Sequence, residues 1–503
     1  MNRSNPARSG RSKGGSDFLQ LDPSEAPPGG LADWLTERLR SAIAGGRLAV
    51  GTRLPATRTL ATDLGISRGV VTESYQRLTE DGQVAGRGRG GTVVVAAPIV
   101  DRSTGRRRLR TRARPPGAPG ERAESADTSC RPADDPEIFD TLRSAPARVD
   151  LTPGVPDLAA FPRAAWLRAE RAVLSGLGAA EFGYGDPAGT PALRRAVAGW
   201  LARYRGIVAD PEDLIIVAGV AQALGIMAQV LERHGLEEIA VEDPGSLGSR
   251  QHLQHWGMRT PPIPVDERGL QVDVLRKSEA AVVMATPAHH FPTGVVLDGE
   301  RRRELVQWAT DGGLIIEDDY DAEHRYDRPP VPALRAMLPD QVFYVGSVSK
   351  LLAPALRIGW MLAPPQYKHE VIARKRLADL GNAALPQLTL AELMESGELE
   401  RQLRLLRRRH RTRRDAMVAA IRTNLPTATI HGAAAGLHLT ITFDEADDIA
   451  LAAAALDAGV KCHPLSWHCQ LPHAPGLVLG YAARTPTEIT EAIATIAKVK
   501  SSG

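Results

Sequence analysis

The sequence predicts two folded units of different class: a small α+β unit near the N-terminus, then a large α/β unit with a mostly parallel sheet. Three observations carry this. Apolar residues between about 31 and 80 recur at helical spacing and are broken by a glycine turn. From about residue 149, short continuous apolar runs alternate with amphipathic helical patterns, as expected for strands buried on both faces. Between them lies a stretch rich in Pro, Gly and Arg that reads as a linker. At 503 residues the chain exceeds one ordinary core, so several domains are expected. The expected boundaries are disorder over 1–16, a first domain over 17–96, a flexible linker over 97–148 and a second domain over 149–503.

The bulk numbers narrow the class. Net charge is only +3, so any nucleic-acid surface must be local. Apolar runs such as "IALAAAAL" are too short to span a bilayer. The opening "MNRSNPARSGRSKGGSD" is basic and polar, which is no secretory signal. Cys130, Cys462 and Cys469 make no disulfide framework, and a reducing cytoplasm is expected.

In the first unit, Leu31, Trp34, Leu35, Leu39 and Ile43 share one helical face, and Gly45-Gly46 ends it. A second helix follows Pro55, with Leu60, Ala61 and Leu64 inward and Gly65 at its end. Ser67 is placed to cap a third helix, whose inward side is Val70, Val71, Tyr75 and Leu78. The turn at Gly65-Ile66 is helix-turn-helix geometry. "QVAGRGRGGTVVVA" reads as a two-stranded wing around a glycine-rich tip. Ser67 with Arg53, Arg58, Arg68, Arg87 and Arg89 forms the expected DNA surface, because arginine serves phosphate and guanine alike. Taken singly, each arginine reads as a solvated charge; their joint placement favours double-stranded DNA as partner. This stretch resembles the GntR family of bacterial winged-helix regulators, through Leu54, Pro55, Arg58, Leu60, Ala61, Leu64, Gly65, Ser67, Arg68, Val71, Tyr75 and Leu78.

In the second unit the candidate site is one for pyridoxal 5'-phosphate (PLP). Lys350 in "VGSVSK" is the candidate amine for a Schiff base, and burial beside Leu351, Leu352 and Leu356 is expected to lower its pKa. Ser347, Ser349 and Arg357 are candidate phosphate donors. So are the backbone N–H groups after Gly219, at Val220 and Ala221, where a helix begins. In "GLIIEDDY" the acids follow a buried strand and so face the crevice of an α/β sheet. Asp318 is assigned to the pyridine nitrogen and Tyr320 to the ring hydroxyl. His289 and His290 are placed near the ring. Alone, Lys350 would read as a surface lysine and the acids as a solvated turn.

Together these segments resemble fold-type I PLP-dependent aminotransferases over roughly residues 150–500. "FGYGDPAGTPALRRAVAGWL" from Phe182 fits the same pattern. A GntR-like winged helix, a linker and an aminotransferase-like domain, in that order, resemble the MocR (GabR-like) family of transcription regulators. That resemblance implies PLP held as an internal aldimine on Lys350, with Asp318 and Tyr320 holding the ring. It also implies a homodimer, and a PLP, amine or amino-acid effector that controls promoters such as those of vitamin B6, amino-acid or amine metabolism.

The chain departs from the family pattern in places. Ser246 stands where an aromatic usually stacks on the ring. Val220 and Ala221 replace polar side chains, leaving backbone donors. Leu477 is expected where aminotransferases place a carboxylate-binding arginine. The Cys462, His463, His468, Cys469 and His473 cluster fits no standard zinc spacing, and Trp467 and His468 are expected as pocket walls. The expectation is a regulator rather than an enzyme, with half-transamination as residual chemistry and no catalytic or metal residues assigned. An active aminotransferase carrying a tethered DNA-binding module is the alternative, and a scaffold that has lost PLP is a third.

Overall fold

A computed structural model describes residues 19–95, except 20, 28–29, 45–46, 50, 81–82 and 87–90, together with 144–324 and 332–502. Contacts divide the chain into Met1–Ala126 and Asp127–Gly503. The expected disordered segment and nearly all of the expected linker lie outside the described residues.

The first unit forms helices Leu31–Ala44, Thr57–Leu64 and Arg68–Glu80, then strands β1 (Val84–Gly86) and β2 (Thr92–Val94). Leu35, Leu39 and Ile43 are buried against Leu60, Leu64, Val71 and Leu78. Each such side chain contributes about 1.5–3 kcal/mol on burial. Gly65 ends the second helix at φ 65°, and its N–H returns to Ala61 and Thr62 carbonyls, so the chain reverses within two residues. The third helix departs from expectation at one position. Val70 is only half-buried, and Ser74 takes the inward place, donating to the carbonyls of Ala32 and Val70. Strands β1 and β2 pair antiparallel, Val84 opposite Val94, as the expected wing; its tip lies outside the described residues.

The second unit opens with β3 (Val149–Asp150) and centres on an eight-stranded sheet. Its strands are β4 (Leu214–Val217), β5 (Ala240–Asp243), β6 (Pro262–Asp266), β7 (Gly269–Leu270), β8 (Val282–Ala285), β9 (Leu314–Asp319), β10 (Val342–Ser347) and β11 (Gly359–Leu362). The spatial order is β4-β11-β10-β9-β8-β5-β6-β7. Strands β10, β9, β8, β5 and β6 pair parallel; β11 runs antiparallel to both neighbours, and β7 to β6. Helices cover both faces. On one, Ile316, Phe343, Val345 and Met361 pack with the helices Val220–Arg233 and Pro365–Asp379. On the other, Ile216, Tyr344 and Trp360 meet the helix Pro191–Arg205, while Ile315, Val283 and Val342 meet Gly299–Thr310. Burial on both sides is why these strands read as unbroken apolar runs.

The sequence reading treats 149–503 as one α/β unit. The structure adds a separate four-stranded antiparallel sheet of β12 (Thr429–His431), β13 (His438–Thr442), β15 (His463–Pro464) and β16 (Gly476–Gly480), in the order β12-β13-β16-β15. Strand β14 (Val460–Lys461) pairs instead with β3. These strands are too short for a periodic signal. Their core joins Val149 and Leu151 to Ile441, Leu477 and the last helix, Pro486–Ser502.

Candidate functional site

The carboxyl ends of β4, β5, β8, β9 and β10 share one edge of the sheet and open onto a cavity of about 410 Å³. That is where an α/β sheet binds ligands, because the loops diverge there. Lys350, Asp318, Tyr320, Ser347, Ser349 and Arg357 all line it, as do Val220 and Ala221. Gly219 lies just behind, at the turn between β4 and the helix Val220–Arg233.

Strand alternation selects among the acids of β9. Glu317 accepts from the backbone N–H groups of Leu334 and Arg335 at 2.9 and 3.0 Å. Asp319 is held by Arg205 and by the Tyr344 hydroxyl, each at 2.5 Å. Asp318 points the opposite way, into the cavity, 8% exposed and with its Oδ1 lacking a partner. Burial, then neighbouring Asp319, pushes its pKa up to about 7, opposed by Lys350. Tyr320 follows. Its oxygen lies 3.0 Å from His289 Nδ1, which also meets Asp321 at 2.9 Å. A carboxylate oxygen accepts, so with Nδ1–H directed to Asp321 the tyrosine hydrogen is left for the cavity. Burial, then Asp321 and Asp318, raises the Tyr320 pKa well above its ordinary value, keeping it a donor. His289 therefore orients Tyr320 rather than lining the cavity, and His290 turns to Thr293 at 2.7 Å.

Lys350 is half-buried after β10, and its Nζ donates to the Gly154 carbonyl at 2.5 Å. His324 Nε2 lies 3.2 Å from the Lys350 carbonyl and steadies the same turn. Arg357 adopts a left-handed backbone, φ 51°, uncommon for a residue with a side chain. It donates to the Ala218 carbonyl. Gly219 sits at φ 84°, and a Cβ there would lie 3.2 Å from the Arg357 guanidinium. The positive φ favours glycine here, and a Cβ would also crowd the guanidinium.

The turn is also held from behind. Ala218 N–H donates to Gln222 Oε1 at 2.7 Å, Gln222 Nε2 donates to Asp379 at 2.7 Å, and Asp379 accepts from Lys375 at 2.5 Å. Lys375 is fully buried. Sequence reasoning missed this chain, because nothing in the sequence links residue 222 to 379. It also missed Glu242, which lines the cavity and takes both the N–H and hydroxyl of Thr286 at 2.9 and 2.6 Å. Burial raises the Glu242 pKa to about 7.

Ser246 lines the cavity without a ring and caps the helix Leu247–His255 by accepting from Ser249 N–H at 3.2 Å; Phe291 brings an aromatic ring to the cavity beside Tyr320. Two expectations need correction. Leu477 faces the small-sheet core, and the neighbouring Val478 turns toward Leu465 and Phe291, since successive strand residues alternate. His468 lines the cavity, but Trp467 does not; its carbonyl receives Arg250 at 3.2 Å. The Cys462 and Cys469 side chains lie in different apolar clusters.

In the first unit Arg53 ahead of the second helix, Arg58 within it, and Ser67 and Arg68 at the start of the third helix are exposed. Ser67 Oγ accepts from Val70 N–H at 3.3 Å. Among the described residues none of these three arginines forms an ion pair, whereas Arg38, Arg40 and Arg77 do. Arg87 and Arg89 lie outside the described residues.

The large sheet and its cavity define an aminotransferase-type fold. The Pyrococcus horikoshii kynurenine aminotransferase superposes with a TM-score of 0.66 at 24% identity, over 74% of this chain and 95% of that one. The model for aminotransferase class I and II matches residues 148–496, and that for bacterial regulatory proteins of the gntR family matches 31–94. The probable rhizopine catabolism regulatory protein MocR of Rhizobium meliloti is 33% identical over 91% of each chain. The HTH-type pyridoxine biosynthesis transcriptional regulator PdxR of Corynebacterium glutamicum is 29% identical over 96% of this chain and 99% of its own. The chain belongs to the MocR (GabR-like) family, in which a GntR-type helix-turn-helix is joined to a class I and II aminotransferase domain. Relatives matched over most of the chain are named HTH-type transcriptional regulators. Among the described residues no helix is long and apolar enough to cross a membrane.

This fold implies PLP, and the residues fit it. A buried carboxylate oxygen awaits a donor, a lysine amine shares its cavity, and a glycine turn at a helix N-terminus faces an arginine.

Proposed function

We propose that this chain is a cytoplasmic, PLP-dependent DNA-binding regulator. A domain over 17–96 binds duplex DNA, a flexible linker over 97–148 follows, and an effector domain over 149–503 holds the cofactor. The observation that carries it is the convergence of Lys350, Asp318, Tyr320, Ser347, Ser349 and Arg357 on one cavity. When bound, PLP supplies an aldehyde that exchanges between the Lys350 amine and an incoming amine.

The chain's own groups divide the work. Arg357, Ser347, Ser349 and the N–H groups of Val220 and Ala221 take the phosphate. Asp318 Oδ1 accepts from the pyridine nitrogen, and Tyr320 donates to the ring hydroxyl. Lys350 carries the covalent bond, and the Gly154 carbonyl, 2.5 Å away, accepts its ammonium hydrogen before attachment. Occupancy by PLP, an amine or an amino acid then changes DNA affinity, a coupling between two sites. The MocR relative is named for rhizopine catabolism and PdxR for pyridoxine biosynthesis, which supports control of amine or vitamin B6 genes. Phe182 and Tyr184, 60% and 94% exposed, supply apolar surface for a homodimer to cover. Turnover is not part of this reading: Leu477 and Val478 are uncharged, and the buried Arg250 of the cavity wall directs one Nη to the Trp467 carbonyl.

The test is PLP titration of the full chain, followed by absorbance and by DNA mobility shift. A visible band that Lys350→Ala abolishes, with a DNA shift altered by PLP or amine, is expected. Absence of the band, or its persistence in Lys350→Ala, would overturn the cofactor reading. Steady ketoacid production would make the chain an enzyme.

A further inference from the structure

Among the buried polar atoms of the cavity lining, Asp318 Oδ1, Thr152 Oγ1 and His468 Nε2 have no well-aligned hydrogen-bond partner, and the Thr152 hydroxyl has only the nearby Asp150 carboxylate. Buried polar atoms are rarely left so, and within a cavity they mark where a ligand belongs. The cofactor accounts for the first. The other two have no role in PLP binding as described above.

His468 is 2% exposed, and its ring packs edge-on against Phe291 at 5.1 Å between centroids. Burial, then neighbouring His463, holds its pKa well below the ordinary value, so the ring is neutral. Its Nδ1 lies 3.2 Å from the Gly245 carbonyl, which can only accept; the Leu247 N–H is more distant, at 3.5 Å. The hydrogen therefore sits on Nδ1, and Nε2 presents a bare lone pair to the cavity. Thr152 lies two residues from Gly154, whose carbonyl holds Lys350, and its hydroxyl both gives and takes hydrogen bonds.

We propose that His468 and Thr152 form the effector subsite, and that they select an amine bearing hydroxyl groups over an amino acid. This inference rests on the PLP reading above. A hydroxyl gives its hydrogen to His468 Nε2, whereas a carboxylate brings only lone pairs to a lone pair. Strand β16 adds no cation for a carboxylate: Val478 on this side is apolar and fully buried. Arg250 on the same wall is buried and directs an Nη to the Trp467 carbonyl at 3.2 Å.

A matched series of amines tests it. Serinol, isopropylamine and alanine share one branched carbon and differ in carrying two hydroxymethyls, two methyls, or a methyl and a carboxylate. The PLP-loaded full chain is titrated with each, and the concentration that half-converts the visible band is read. Serinol should act at about tenfold lower concentration than isopropylamine, the worth of one buried hydrogen bond. Alanine should be weakest. His468→Phe should erase the serinol advantage while leaving the isopropylamine response in place. Thr152→Val should narrow it several-fold, and stands in if His468→Phe does not fold. Equal responses to serinol and isopropylamine overturn the subsite, as does tightest binding of alanine, which would assign the wall to Arg250. A wild-type chain that forms no band with PLP fails one step earlier and takes the cofactor reading down with this one.

Discussion

The two candidate binding surfaces are built in opposite ways. In the first unit Arg53, Arg58 and Arg68 stand exposed, without ion pairs among the described residues. In the second, the cavity groups are gripped from behind. Gln222 and Arg357 hold the two ends of the Ala218 peptide, His289 fixes Tyr320, and Glu317 and Asp319 are turned away to backbone and Arg205. A duplex presents a repeating line of phosphates, so mobile cations suffice to meet it. A small ligand must be met at fixed points, and fixing those points before it arrives removes an ordering cost from binding.

Changes in the gripped site should therefore be severe and specific. The largest effect is expected for Asp318→Asn, which removes the charged partner of the pyridine nitrogen. PLP affinity should fall by roughly tenfold to hundredfold, measured by the visible band. If affinity is unchanged, the acid selected by strand alternation is the wrong one. Arg68→Ala should weaken DNA binding by about tenfold and lower the salt slope by about one, uniformly across sequences if the contact is to phosphate. A sequence-selective loss would instead place Arg68 on a base edge. Asp379→Asn should weaken PLP several-fold yet leave pyridoxal, which lacks the phosphate, unaffected. Equal losses for both would make Asp379 a general stabiliser and not a support of the turn.

The remaining effect is on stability, and it has a direction. Asp318 titrates at 3.8 ordinarily and about 7 in the folded chain, so the fold binds its proton throughout that window. Its contribution to stability falls as pH rises from 3.8 to about 7, and Glu242 acts the same way from 4.5. In urea denaturation without PLP, Asp318→Asn should exceed the unmodified chain by about 1–3 kcal/mol above pH 7 and match it near pH 4.

The comparison also explains what was legible in the sequence. Helix periodicity and a glycine turn are local, so the first unit could be read almost residue by residue. The exception, Ser74 in place of Val70, depends on where the first helix crosses, since Ser74 bonds to Ala32. The buried strands and the cavity-lining residues at their ends were equally local. What escaped was pairing at long range: Gln222 with Asp379, His289 with Tyr320, and the small antiparallel sheet. Leu477 and Val478 show the finest limit. A one-residue error of register reverses which side chain faces Leu465 and Phe291, and no local pattern in "GLVLG" fixes it.

Strand β3 pairs with β14, Val149 opposite Val460, across about 310 residues of intervening chain. During synthesis the helix-turn-helix core, made of neighbours in sequence, can close early, while β3 waits for nearly the whole remaining polypeptide to emerge. A ribosome that stalls before β14 would thus release a nascent chain able to fold its DNA-reading end, with the first strand of its sensing end still unpartnered.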